Sequence, residues 1–204
     1  MSRREALGVL ATIPLAAAFA PLPAGIGAAE ADAASRAAAQ ALASPSPYAP
    51  KVFTAREWQT VRVLADLVIP RDERSGSATD AGVPEFIDFI LDAYPDKQTG
   101  IRGGLAWLDA ESVRRYGTRF VESDGLAQRH LLDDIAWPAK ARPEMSQGAA
   151  FFSRFRDLVA SGFWSSQTGV ADLRYMGNTG MAEFPGCPPE ALRKLGVSYP
   201  SGGE

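Results

Sequence analysis

The strongest periodic signal in the chain lies between Phe53 and Pro70. Trp58, Val61, Leu64, Ala65 and Val68 recur at helical spacing, with Leu67 and Ile69 widening the apolar face until Pro70 stops it. Thr54-Ala55-Arg56-Glu57 reads as a capping box: the Thr54 hydroxyl accepts from the Glu57 N–H, and the Glu57 carboxylate accepts from the Thr54 N–H. Phe53 and Trp58 flank it as a hydrophobic staple. A second helix opens at Pro84, whose fixed φ suits a first turn, and carries Phe86, Ile87, Phe89, Ile90 and Leu91 to Tyr94-Pro95. It is apolar on most sides and so belongs at the centre.

A third helix runs from Thr99 or Gly103 through Leu105, Leu108 and Val113 to Gly117. Ser123 is the expected cap of a fourth, with Leu126, Leu131 and Ile135 inward and Pro138 beyond its end. A fifth covers Ala149 to Ser161 with Phe151, Phe152, Phe155, Leu158 and Val159, closed by Gly162. No run alternates with period two for long enough to make a sheet. The fold class is all-α, a small bundle of about five helices.

From Phe163 onward Trp164, Tyr175, Met176, Phe184 and Tyr199 are set among glycines and prolines, which suits an irregular aromatic-rich segment with one short helix over Pro188 to Gly196, prolines at its start and glycine at its end. So many aromatics must pack on something. Either they cover their own bundle, or Phe163, Trp164, Tyr175, Met176, Phe184 and Pro185 are anchors of an interface with another protein.

Before Phe53 the pattern is different. Ala34 to Ala43 has helical potential, but Ser44-Pro45-Ser46-Pro47-Tyr48-Ala49-Pro50 reads as an extended tether, so 34–50 is expected as linker and 51–204 as the domain. Ahead of it, Arg3-Arg4 precedes an Ala- and Gly-rich apolar stretch broken by Pro14, Pro21 and Pro23. Ser2-Arg3-Arg4-Glu5-Ala6-Leu7 is close to the twin-arginine export pattern, with Ala6 where Phe is usual. The stretch is less apolar than the roughly 20 strongly apolar residues of a membrane helix. Residues 1–33 are therefore expected to be an export signal with cleavage near Ala31-Asp32-Ala33 or slightly earlier, and the location periplasmic. Because the twin-arginine translocon carries folded proteins, the signal points to a cofactor loaded before export, here or in a partner.

Composition narrows the chemistry. The net charge is −3 with charges interspersed, which offers no basic face for nucleic acid. The single cysteine, Cys187, stands between prolines and forms no internal disulfide; it is either a buried thiol or half of a bridge to another subunit. His130 is the one histidine, with no serine or cysteine constellation beside it. Neither zinc-ligand spacing, Cys-x-x-Cys-His, a four-cysteine set nor Gly-x-Gly-x-x-Gly is present. Asp109, Glu111, Asp133 and Asp134 are expected as solvated helix-surface carboxylates. No catalytic, metal-binding or cofactor-binding residue is assigned, and a folded-protein export signal on such a domain implies a cofactor-bearing partner. The alternative is a stand-alone exported carbohydrate-binding module that stacks sugars on Trp164, Tyr175 and Phe184.

Five blocks resemble the gluconate 2-dehydrogenase subunit 3 family. They are Phe53 to Asp72, Ala81-Gly-Val-Pro-Glu-Phe-Ile-Asp88, Gly104-Leu-Ala-Trp-Leu-Asp-Ala-Glu111, Phe151 to Ser165, and Tyr175-Met-Gly-Asn178. The resemblance implies a non-catalytic small subunit paired with an FAD-dependent dehydrogenase of the glucose–methanol–choline type. It also implies a cytochrome c, with its haem, as electron acceptor, and export of the pair by the small subunit's signal. The ending Asn178 to Val197 is similar to members that accompany glucoside 3-dehydrogenases. In such a complex Cys187 is expected to bridge to the catalytic subunit.

Overall fold

The computed structural model describes residues 27–174 and 186–199. Among them are eight α-helices, two 3-10 turns and no strand. In the first unit the helices are α1 (Ala28–Ala43), α2 (Ala55–Val68), α3 (Val83–Ala93), α4 (Pro95–Tyr116), α5 (Gly125–Asp133), α6 (Ser146–Ser165) and α7 (Gln167–Asp172). The second unit holds α8 (Pro189–Leu195).

α3 is the centre of the bundle, as its all-round apolar sequence requires. Phe86, Ile87, Ile90 and Leu91 are at most 1% exposed, and α1, α2, α4 and α6 all pack on it. Phe120, Phe155 and Phe163 are the other aromatic rings among the largest fully buried side chains of the core. At the start of α2 the capping box is present in full: the Glu57 N–H donates to Thr54 Oγ1 at 3.3 Å, and the Thr54 N–H donates to Glu57 Oε2 at 2.8 Å. Arg102 of α4 donates to the same carboxylate from Nε at 2.8 Å, so the cap also fastens α2 to α4.

Several elements differ from expectation. Of the stretch 34–50 expected as linker, Ala34–Ala43 lies in α1, and Ala34 and Ala38 are buried in the core. Alanine carries little hydrophobicity, so the periodic signal is weak, but its small side chain lets α1 approach α3 and α6 closely. Gly82, left-handed at φ 76° before α3, belongs to that approach: a Cβ there would lie 3.1 Å from Leu42 Cδ1 and 3.3 Å from Ala38 Cβ.

α4 begins at Pro95, a turn earlier than expected, because proline is as suited to a first helical turn here as at Pro84. α5 is capped by Asp124, which accepts from the N–H groups of Leu126 and Ala127; Ser123 instead bonds Ser112 and Thr118 through its hydroxyl. Leu131 and Ile135 point inward, whereas Leu126 is 64% exposed. α6 runs past Gly162, which packs against Phe86 closely enough that a Cβ would lie 2.8 Å from Cδ1. That glycine serves packing rather than termination, and the described residues from Phe163 to Arg174 are correspondingly more helical than expected.

Three of the helix-surface carboxylates are structural rather than merely solvated, and the first, Asp109, accepts from the Phe120 N–H at 3.2 Å. Glu111 accepts from Arg114 and Arg115, and Arg115 also donates to Asp134 Oδ2 at 2.6 Å. Arg142 lies 3.6 Å from the same Asp134 oxygen, joining α4, the end of α5 and the loop before α6. The Arg114 and Arg115 guanidiniums hold the Glu111 carboxyl down at about 2, against its partial desolvation.

Candidate partner interface

The α6–α7 corner builds an exposed aromatic surface suited to recognition. Ser166 turns the chain: its hydroxyl donates to the Phe163 carbonyl at 2.7 Å and accepts from the Gly169 N–H at 3.1 Å. Gly169 presses on that carbonyl so tightly that a Cβ would lie 2.0 Å from the Phe163 oxygen. Only glycine fits this corner. Just before it, adjacent aromatics point opposite ways, Phe163 being 1% exposed inside the bundle and Trp164 41% exposed outside. Their rings meet edge to face with centroids 5.0 Å apart.

Val170 and Leu173 extend the apolar exposure from α7, Leu173 being more than half exposed. Arg74 reaches over from the α2–α3 connection and donates through Nη2 to the Asp172 carbonyl at 2.9 Å. The same nitrogen lies 2.8 Å from Asp172 Oδ1. That second contact is a charge contact without hydrogen-bond alignment, so Oδ1 is buried with no hydrogen-bond donor. Arg74, Trp164, Asp172, Leu173 and Arg174 line an open hollow of about 600 Å³. Arg174, at φ 52°, is a non-glycine residue in the left-handed region.

An exposed indole beside apolar side chains and two guanidiniums has the composition of an interface anchor. Among the described residues, the hollow is lined by no serine, cysteine or histidine. His130 is exposed on α5, and among the described residues no three His, Cys, Asp or Glu side chains converge on a point where a metal ion would sit.

Of the sequence-predicted anchors, Trp164 is on this surface. Phe163 is not: its side chain fills the core of its own bundle, because α6 continues through it in phase with Phe155 and Val159. Tyr175, Met176, Phe184 and Pro185 lie outside the described residues, as do Arg3 and Arg4. Cys187 belongs to the second unit, where it is exposed and its N–H donates to the Tyr199 hydroxyl at 2.6 Å. Sequence reasoning missed Arg74, Val170, Leu173 and Arg174. Leu173-Arg174 carried a weak signal, an apolar residue beside a cation at a helix end; Arg74 carried none, being 98 positions from Asp172.

The gluconate 2-dehydrogenase subunit 3 family matches residues 55–186. The chain belongs to that family, whose name makes its members third subunits of a dehydrogenase complex. Comparison with curated proteins returned no match, and comparison with solved structures returned none. The matched segment contains α2 to α7 and with them the whole corner around Trp164.

Proposed function

We propose that this chain is the non-catalytic small subunit of a periplasmic FAD-dependent sugar or glucoside dehydrogenase of the glucose–methanol–choline type. It escorts the flavoprotein through the twin-arginine translocon and stabilises it, while the flavoprotein holds FAD and passes electrons to a cytochrome c. The observation that carries the reading is family membership combined with an exposed Trp164 that stands beside Leu173 and the guanidiniums of Arg74 and Arg174. Trp164, Leu173 and Arg74 form part of the docking face. Cys187, exposed in its own unit, is proposed to bridge to a cysteine of the flavoprotein.

The carbohydrate-module alternative would use the same indole face. It is less favoured because the nearby carboxylate, Asp172, has its Oδ1 buried beside Arg74, out of reach of a sugar. Titrating the subunit alone with glucosides, following Trp fluorescence, separates the readings: the escort role predicts no saturable change.

Export tests the escort role directly. Replacing Arg3 and Arg4 together by Lys removes the planar guanidiniums while keeping the charge. Both this subunit and its dehydrogenase should then remain in the cytoplasm, and normal periplasmic dehydrogenase activity from that double variant would refute the escort.

A further inference from the structure

The Ala-rich stretch chosen by sequence as the leader's cleavage region is built into the fold. α1 packs along α3, and Leu42 and Ala38 meet Gly82 at the start of α3. Ala31-Asp32-Ala33 sits inside α1, with the Ala31 N–H bonded to Gly27 O at 2.9 Å and Asp32 ion-paired to Arg36 one turn on. Ala34 is 0% exposed and Ala38 is 3% exposed. Ser35 Oγ lies 2.7 Å from Ser165 Oγ on α6.

An endopeptidase needs its substrate unwound and accessible across the scissile bond, and nicking sites are decided by burial and backbone hydrogen bonding. A cut after Ala33 meets two obstacles. It requires melting the first turns of α1 off the core. It also leaves a new ammonium group on Ala34, a buried residue at the positive end of a helix, where both desolvation and the helix dipole oppose it. A cut before Ala28 meets neither, since residues 27–30 are exposed and Glu30 would sit in the first turn to offset the new charge.

We propose that maturation removes the leader at or before the Gly27–Ala28 bond, so that the exported subunit keeps all of α1 as a core helix and Ala31-Asp32-Ala33 is never the processing site. Gly25 and Gly27 supply the small residues that a leader peptidase selects. The inference rests on the export reading above, and its test has two arms.

In the first, the subunit recovered from the periplasm is sequenced from its N-terminus. A first residue at Ala28 or earlier supports the inference, and a chain starting at Ala34 overturns it. A chain held uncut in the cytoplasm would count against export instead, and the second arm then decides. Purified full-length subunit is treated with elastase, which cuts after small residues. Cleavage at the Ala33–Ala34 bond should be at least about tenfold slower than in Ala38→Pro, where α1 is broken. Equal rates in the two proteins would overturn the inference, because the helix would then give no protection.

Discussion

The Tyr48 hydroxyl donates to Asp88 Oδ2 at 2.8 Å, and this contact fastens the segment between α1 and α2 to the central helix. Asp88 is 0% exposed and accepts also from the N–H groups of Lys51, at 2.8 Å, and Val52, at 3.0 Å. Burial, and then the hydrogen bond to Asp88, hold the Tyr48 hydroxyl protonated well above the usual tyrosine range. One carboxylate thus serves as the anchor of a proline-rich strap that has no regular structure to satisfy its own backbone donors.

Asp88→Ala should therefore cost about 2–4 kcal/mol of folding stability, because it strands two backbone donors as well as a phenol. Tyr48→Phe should cost only about 1 kcal/mol. Urea unfolding of the three proteins measures both; equal losses would mean that the backbone bonds contribute nothing.

Glycine at α4–α6 contacts should be equally unforgiving. A Cβ on Gly104 would fall 1.9 Å from Phe151 Cδ2, and one on Gly148 would fall 2.2 Å from the Trp107 ring. Gly104→Ala is expected to lower stability by about 1–3 kcal/mol despite alanine's better helix propensity. A melting temperature at or above that of the parent would show that the helices move apart without cost.

Two carboxylates should impose opposite pH trends. Glu111, with its carboxyl held at about 2, stabilises the fold fully above the ordinary glutamate value of 4.5. That contribution fades as pH falls toward about 2. Glu85 is 4% exposed, has one oxygen without a partner, and is pushed up by burial, with Arg62 at 3.8 Å compensating only in part. Its contribution is present below 4.5 and lost as pH rises through its elevated value. Glu111→Gln should flatten the acid limb of the melting-temperature profile, and Glu85→Gln should raise stability at neutral pH. The same profile for all three proteins would contradict both assignments.

The neighbours Phe163 and Trp164 provide a matched pair. Phe163→Ala removes a core ring and should cost about 3–5 kcal/mol of stability. Trp164→Ala should leave the unfolding midpoint nearly unchanged while weakening association with the dehydrogenase by about 2 kcal/mol or more. Calorimetry on the subunit and affinity measurements on the complex separate the two effects; a Trp164 variant that unfolds early and binds normally would return this ring to the bundle.

What was legible in the sequence follows from range. The capping box at Thr54 and Glu57, the apolar face of α2 and the centrality of α3 all depend on residues within one or two turns, and they were read residue by residue. α1 was under-read because Ala34 and Ala38 are buried for their smallness rather than their hydrophobicity. Gly162 was read as a stop when its neighbour in space, Phe86, makes it a packing glycine. At the candidate interface Trp164 was visible as an aromatic out of place, but the opposite facing of Phe163 depends on the phase of α6. Arg74 could not be paired with Asp172 until the fold brought them together.

The central claim is that this subunit exists to accompany a flavoprotein, and co-elution tests it most directly. The full chain, tagged, is co-expressed with a candidate glucose–methanol–choline-type flavoprotein of the same organism and passed through affinity and size-exclusion columns while flavin absorbance is followed. The account predicts one peak containing both proteins and flavin, shifted to separate peaks by Trp164→Ala. A colourless subunit eluting alone, with the flavoprotein exported and active in its absence, would contradict it.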